Sequence, residues 1–303
     1  MEAAGVLPWP GTGGHYRKFT NAQFASLGRQ TYPTLPASQN ATALVLTIYD
    51  WTTPDYRRSN FLITAHNNIT AFGELMLYQS PTRGPHIPRI FALYGSTDSV
   101  VLSELQSQWT TVKRWCNSEA TVLQFALLNL PEVKYSQGPR ILYRGDGRDA
   151  SHFCNQFTSQ FGLSIDACVS KVFAPTSTVT VQTFWSSSPS PSVVTHFSSN
   201  VIFNILPNTD PSVRSSWRSR PITPFSVDPS LIEYLFPSGS SYYVESAKCT
   251  IDPNDNENFW NITLREINPT VSVFPAAKPS IVQCISLSTS VRKMKTLTEF
   301  SSI

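Results

Sequence analysis

A chain of 303 residues can form one large domain or two small ones, and 41% hydrophobic content is enough to fill a proper core. Charged residues make up only 14%, and the formal net charge of +3 is too small to argue for nucleic acid or a membrane surface as the partner. No stretch approaches the ~18–20 consecutive apolar residues of a spanning helix.

Residues 1–35 are rich in Gly, Pro, Thr and Gln without periodicity and read as a flexible N-terminal segment. Met1 to Gly14 has no continuous apolar core of the signal-peptide kind, which by itself favours the cytoplasm. From Ala41 the apolar run Leu44-Val45-Leu46-Thr47-Ile48-Tyr49 opens the ordered part. Residues 56–78 carry Phe61, Leu62, Phe72, Leu75 and Met76 at roughly helical spacing. A second helix is predicted over about 100–115, with Val101, Leu105, Trp109 and Val112 on one face. A third, over 119–130, stops at Pro131.

After Arg140 the pattern changes to strands. Strand-like runs occur at 141–144, 178–185, 201–206, 233–236, 241–249, 259–267 and 281–286. The turn signal Asp252-Pro253-Asn254-Asp255-Asn256 predicts that 241–249 and 259–267 pair as a hairpin. Helices first and strands afterwards argue for an α+β domain over about 36–286, with 287–303 as a flexible Ser/Thr/Lys tail. The five cysteines form no CxxC pair and their number is odd, so buried free thiols are expected. Asn40, Asn68 and Asn261 lie in N-x-S/T sequons, which matter only in a secreted chain.

Three of the strands carry a polar group that an apolar strand has little reason to hold. They are Ile141-Leu142-Tyr143-Arg144-Gly145, Thr183-Phe184-Trp185-Ser186-Ser187-Ser188 and Leu231-Ile232-Glu233-Tyr234-Leu235-Phe236-Pro237. Each has an ordinary explanation alone: a solvated strand-end arginine, a serine turn before Pro189, a surface acid. Brought into one cleft they supply a planar fork for phosphate oxygens, a hydroxyl to orient a ribose and a carboxylate where positive charge develops. Cleavage of a bond at an anomeric carbon passes through an oxocarbenium-like transition state and needs this set.

The order of the three motifs and their flanks resembles the mono-ADP-ribosyltransferases of the Arg–Ser–Glu type. Leu142-Tyr143-Arg144-Gly145 matches the family's aromatic-Arg-Gly signature, and Phe184-Trp185-Ser186-Ser187-Ser188 is similar to its Phe-x-Ser-Thr-Ser pattern, with Ser187 in place of threonine. Glu233 precedes a run close to the family's Glu-Val-Leu-hydrophobic-Pro-Pro, and Ile222, Phe225, Ser226 and Pro229 fall where its acceptor-recognition turn has Ile, Phe-Ser and Pro. Tyr49, Tyr56, Arg57, Arg58 and Asn60 match the family's Tyr-then-Asn-x-x-Leu-Arg segment only loosely. The resemblance implies a helical N-terminal half packed on a split, mostly antiparallel β-sheet. It also implies NAD as substrate without a metal, and an unknown protein acceptor. The implied catalytic residues are Glu233, Ser186 and Arg144. Arg144, Gly145, Ser186, Ser187, Ser188, Phe184 and Tyr143 are the implied nucleotide-binding set, and Trp185 and Phe225 are further stacking candidates. One position departs: the family has Glu or Gln two residues before its catalytic Glu, and here that residue is Leu231. Leucine cannot engage a guanidinium, so the acceptor need not be arginine. Hydrolysis of NAD by water, or an inactive NAD-binding or protein-interaction module, are the alternatives.

Other chemistries fit less well. Gly145-Asp146-Gly147-Arg148-Asp149-Ala150 spells the GxGxxA dinucleotide fingerprint, with Asp166 about twenty residues on, but the alternating βαβ context is missing. The five histidines show no ligand spacing, and neither HExxH nor GxSxG occurs.

Overall fold

A computed structural model of the chain describes residues 19–35, 41–52, 120–146, 153–154, 156–157, 163–195, 200–210, 214–251, 258–267 and 284–286. The helices predicted over 56–78 and 100–115, the fingerprint residues 147–150 and the tail 287–303 lie outside the described residues.

The segment expected to be a flexible lead-in contains a helix, α1 (Asn21–Thr31). Its start was encoded locally: the Thr20 hydroxyl accepts from the Gln23 amide while the Gln23 side chain accepts from the Thr20 amide, a reciprocal capping box. Helix α2 (Ala41–Trp51) takes up the apolar run and packs on α1. A Cβ on Gly28 would lie 2.8 Å from the Ala41 carbonyl carbon, so glycine is what lets the two backbones approach. Helix α3, described from 120 to 128, ends before Pro131 as expected.

Nine strands are described: β1 (Leu142–Asp146), β2 (Thr178–Val181), β3 (Trp185–Ser187), β4 (Val201–Leu206), β5 (Arg220–Pro221), β6 (Tyr234–Phe236), β7 (Ser240–Ile251), β8 (Asn258–Ile267) and β9 (Cys284–Ser286). Two short helices lie between them, α4 (Ile165–Val172) and α5 (Pro191–Thr195). The large sheet runs β1-β4-β8-β7-β2, with β9 beside β7; the small sheet runs β3-β6-β5. All pairs are antiparallel except β4 with β8 and β7 with β9. The expected hairpin is present as β7–β8, with Cys249 opposite Trp260 and Val244 opposite Leu264. The architecture is therefore α+β with a split, mostly antiparallel sheet.

The single strand predicted over 178–185 is two strands in different sheets. After Val181 the chain leaves the large sheet, and it re-pairs at Trp185 in the small one. Two apolar cores explain the break. Trp185 belongs to the core under the large sheet with Phe203, Trp217, Tyr242 and Trp260. Its neighbour Phe184 belongs to a second core, formed by α1, α2, α3, Ile222, Phe225 and Leu235. Trp185, the first residue of β3, and Phe184 just before it thus seal opposite cores, and this segment is the wall between them.

The cysteines also differ from expectation. Cys154 and Cys168 form a disulfide, and Cys249 is disulfide-bonded as well. Cys168 is carried on α4 and its partner lies 14 residues earlier, so the bond closes a local loop that spacing alone does not betray.

Glu266 on β8 is a fully buried carboxylate, held by the Tyr135 hydroxyl at 2.8 Å and the Arg218 amide at 2.9 Å. Burial pushes its pKa up to about 7, against the pull of those two donors and of the Arg214 and Arg218 charges. An acid raised in this way favours folding while protonated. Its contribution is complete below its ordinary value of 4.5 and is lost as pH rises through about 7. We expect the unfolding free energy of the native chain, minus that of Glu266→Gln, to fall by roughly 3 kcal/mol between about pH 4 and pH 8. Denaturant titrations across that range check it, and a flat or rising difference contradicts it.

Candidate active site

Arg144 shares the inward face of β1 with the fully buried Leu142, two residues before it. Its guanidinium therefore lies within the protein rather than in bulk water, 5.0 Å from the centre of the Trp185 indole. Nη1 donates to the Ser186 carbonyl at 3.1 Å, and Nη2 to Asp146 Oδ2 at 2.9 Å. Nε is buried and, among the described residues, has no hydrogen-bond partner.

What carries Arg144 to Ser186 is a backbone contact between the two sheets. Tyr143 and Ser188 exchange both amide-to-carbonyl bonds, at 2.8 and 2.9 Å, stitching β1 to the end of β3. Alternation along β3 buries Trp185 and Ser187 and turns Ser186 the other way, towards Glu233.

Glu233 arrives from the turn that precedes β6. Ile222 donates its amide to the Glu233 carbonyl at 2.9 Å, and Ile232 adopts a left-handed conformation with φ of 45°. A β-branched residue is strained there, and the reversal turns Glu233 inward while leaving Ile232 exposed. The Ser186 hydroxyl donates to Glu233 Oε1. Ser186, Glu233 and Arg144 therefore meet.

Other expected nucleotide contacts are placed differently. The Ser187 hydroxyl donates to the Tyr234 carbonyl at 2.9 Å and that of Ser188 to the Leu231 carbonyl at 3.0 Å. Both serines are buried, and their hydroxyls fasten the backbone on either side of Glu233 instead of facing the cleft. Phe184, Trp185 and Phe225 are core residues, and their burial leaves no ring face for a base to stack on. Tyr143 and Gly145 are half-buried on β1 beside Arg144. Asp166, paired with the fingerprint by spacing, accepts from the Trp260 indole at 2.6 Å in the first turn of α4. The antiparallel pairing of β1 with β4 removes the βαβ context that the fingerprint requires.

Sequence reasoning missed Trp51. The last residue of α2, it is buried, and its indole Nε1 donates to both Ser186 Oγ and Glu233 Oε1, each at 3.1 Å. Its ring meets Phe184 edge-on at 5.4 Å. The next residue, Thr52, accepts the Val227 amide on its hydroxyl at 2.9 Å, tying the end of α2 to the turn that carries Glu233. A tryptophan ending an apolar helix reads as core, and 182 residues separate it from Glu233, so no local pattern marks it.

Burial raises the Glu233 pKa above its ordinary 4.5. Hydrogen bonds from Ser186 and Trp51, and then the charge of Arg144, oppose the rise. The result is a partly buried carboxylate with two fixed donors on one oxygen and a guanidinium nearby. Such a group can stabilise a cation on a bound sugar, or accept a proton. Among the described residues no cluster of His, Cys, Asp and Glu could hold a metal ion.

Solved structures of ADP-ribosyltransferase toxins match the chain at low identity. Vis toxin, an ADP-ribosyltransferase from Vibrio splendidus, matches at 13% identity and a TM-score of 0.44, covering 89% of this chain and 89% of its own. Plx2a, an ADP-ribosyltransferase toxin from Paenibacillus larvae, matches at 12% identity and 0.40, over 82% of this chain and 96% of its own. The type III effector XopAI from Xanthomonas axonopodis pv. citri matches at 15% identity and 0.42, over 82% of this chain and 76% of its own. No family model and no curated protein matches the chain. At these scores the functional reading rests on the residues of the site.

Trp51→Phe keeps the ring and removes the donor. Losing one bond to the charged form should raise the Glu233 titration midpoint further. Side-chain carboxyl NMR of glutamate-labelled protein reads this directly; an unchanged or lower midpoint would remove Trp51 from the site.

Proposed function

We propose that this chain is an NAD-dependent mono-ADP-ribosyltransferase: it cleaves the nicotinamide–ribose bond of NAD and transfers ADP-ribose to a protein acceptor. The observation that carries the reading is the convergence of Arg144 from β1, Ser186 from β3 and Glu233 from the turn before β6 on one site. In this reading Glu233 sits under the ribose and stabilises the oxocarbenium character that grows as nicotinamide departs. Ser186 orients both the ribose and the carboxylate. The positive charge of the Arg144 guanidinium, with one Nη1 hydrogen that no described residue engages, suits the diphosphate. Tyr143 and Gly145 flank that arginine and border the nucleotide. The chemistry is electrostatic and asks for no metal.

The acceptor is read from Leu231. Its carbonyl is held by Ser188, and its side chain supplies neither charge nor hydrogen bond two residues before Glu233. Arginine as acceptor would lack the carboxylate that helps deprotonate a guanidinium, so a different protein side chain is favoured. The same absence favours a second reading, NAD glycohydrolase, in which water takes the place of the acceptor. An inactive NAD-binding or protein-interaction module is the third; it would bind NAD without turnover.

Nicotinamide release from NAD separates these readings. Glu233→Gln should reduce release by roughly 10²–10³-fold, the ~2.7–4 kcal/mol expected for losing a charge at a cationic transition state. Release that rises on adding acceptor protein, with label incorporated into it, supports transfer. Release indifferent to protein supports hydrolysis. Equal release by Glu233→Gln and the native chain would remove Glu233 from the mechanism.

A further inference from the structure

Gln156 is 1% exposed, and nothing in its sequence context marks it. A primary amide has two donor hydrogens and two acceptor lone pairs, and all four are engaged here. Oε1 accepts from the Trp185 indole at 2.7 Å and from Arg144 Nη2 at 3.5 Å. Nε2 donates to Asp146 Oδ2 at 3.0 Å and to the Phe153 carbonyl at 3.4 Å. The orientation is chemically forced, because an indole N–H can only donate and an ionised carboxylate can only accept. Asp146 Oδ2 in turn accepts from Arg144 Nη2 at 2.9 Å, and Arg144 lies over the same Trp185 whose nitrogen meets Gln156. Three side chains, Asp146, Gln156 and Trp185, therefore close around the guanidinium.

The backbone holding Gln156 is itself tied down. Its carbonyl accepts the Gln182 amide at 2.9 Å. Two residues earlier, Cys154 is bonded to Cys168 of α4. On its other side Phe157 packs edge-on to Trp185 at 5.5 Å. The amide is a fixed point, and Asp146 and Trp185 are oriented against it.

We propose that Gln156 is a positioning residue for NAD binding: by fixing Asp146 and Trp185 it holds the Arg144 guanidinium across the indole, with one Nη1 hydrogen left, among the described residues, for the anionic diphosphate. The inference rests on the reading of Arg144 as the diphosphate group. It goes further by assigning the arginine's orientation to a buried amide and an acid that the three-strand pattern does not include. Asp146 is also part of the assignment. It takes one end of the fork, so the diphosphate meets an arginine that is already aligned instead of one that must be ordered on binding.

A double-mutant cycle tests the assignment, with NAD affinity measured by calorimetry on the native chain, Gln156→Leu, Arg144→Ala and the double variant. Native chain and Gln156→Leu should differ by roughly tenfold in Kd, and Gln156→Leu should add nothing once Arg144 is gone. Gln156→Leu should also raise KM for nicotinamide release while leaving kcat within about threefold, since Glu233, Ser186 and Trp51 are untouched. Should Gln156→Leu fail to fold, Asp146→Asn reads the same coupling from the more exposed side of the ring. Equal, additive losses in both backgrounds would overturn the positioning role and leave NAD binding intact. A native chain that binds no NAD would overturn the reading of the cleft itself.

Discussion

A carboxylate partly withdrawn from water is unstable unless donors or cations replace the hydration it loses, and at Glu233 three groups do so. The Ser186 hydroxyl and the Trp51 indole converge on one oxygen, and Arg144 supplies positive charge from behind Ser186. Each of these groups belongs to a different element: α2, β1 and β3. None is adjacent in the chain to Glu233, so the acid is comfortable only when the whole arrangement is assembled. That dependence couples the helical part of the molecule to the sheets. The last residues of α2 supply the indole and, through Thr52, a bond to the turn bearing Glu233.

The sheets deliver the other groups with little freedom. β3 divides two apolar cores, with Phe184 buried in one and Trp185 in the other. Rotating that strand would expose a large aromatic on one side or the other, a cost of about 1.5–3 kcal/mol for each side chain. Ser186 is thereby fixed facing the cleft. The hydroxyls of Ser187 and Ser188 then clamp the carbonyls of Tyr234 and Leu231. Of three consecutive serines, one meets the acid and two hold its backbone. The charged ring beneath, made by Arg144, Asp146 and Gln156 around the Trp185 indole, anchors the same strand from its other face.

Much of this was legible in the sequence, and the exceptions have physical reasons. Arg144, Ser186 and Glu233 stood out because each interrupts an apolar strand, and the hairpin of β7 and β8 announced itself through its turn. Trp51 was invisible because burial of an indole at the end of an apolar helix is the ordinary outcome, and only tertiary packing reveals where its N–H points. Gln156 was hidden for a similar reason: an isolated glutamine reads as surface until its four partners are seen. The roles of Ser187 and Ser188 could not be divided from that of Ser186 without the pleat. Helix α1 was obscured by its Gly- and Pro-rich surroundings, although Thr20 and Gln23 spell a capping box and Phe24, Leu27 and Gly28 share a helical face. The disulfide of Cys154 and Cys168 was lost in an odd count of cysteines.

In the proposed function Arg144, Ser186, Glu233 and the Trp51 indole together receive NAD. A crystal structure of the Glu233→Gln chain with NAD bound tests it most directly. The account predicts the nicotinamide-bearing ribose against Ser186 and residue 233, its anomeric carbon within about 4 Å of that side chain, and a diphosphate oxygen within hydrogen-bond reach of Arg144. NAD bound elsewhere, or with its diphosphate remote from Arg144, would contradict it.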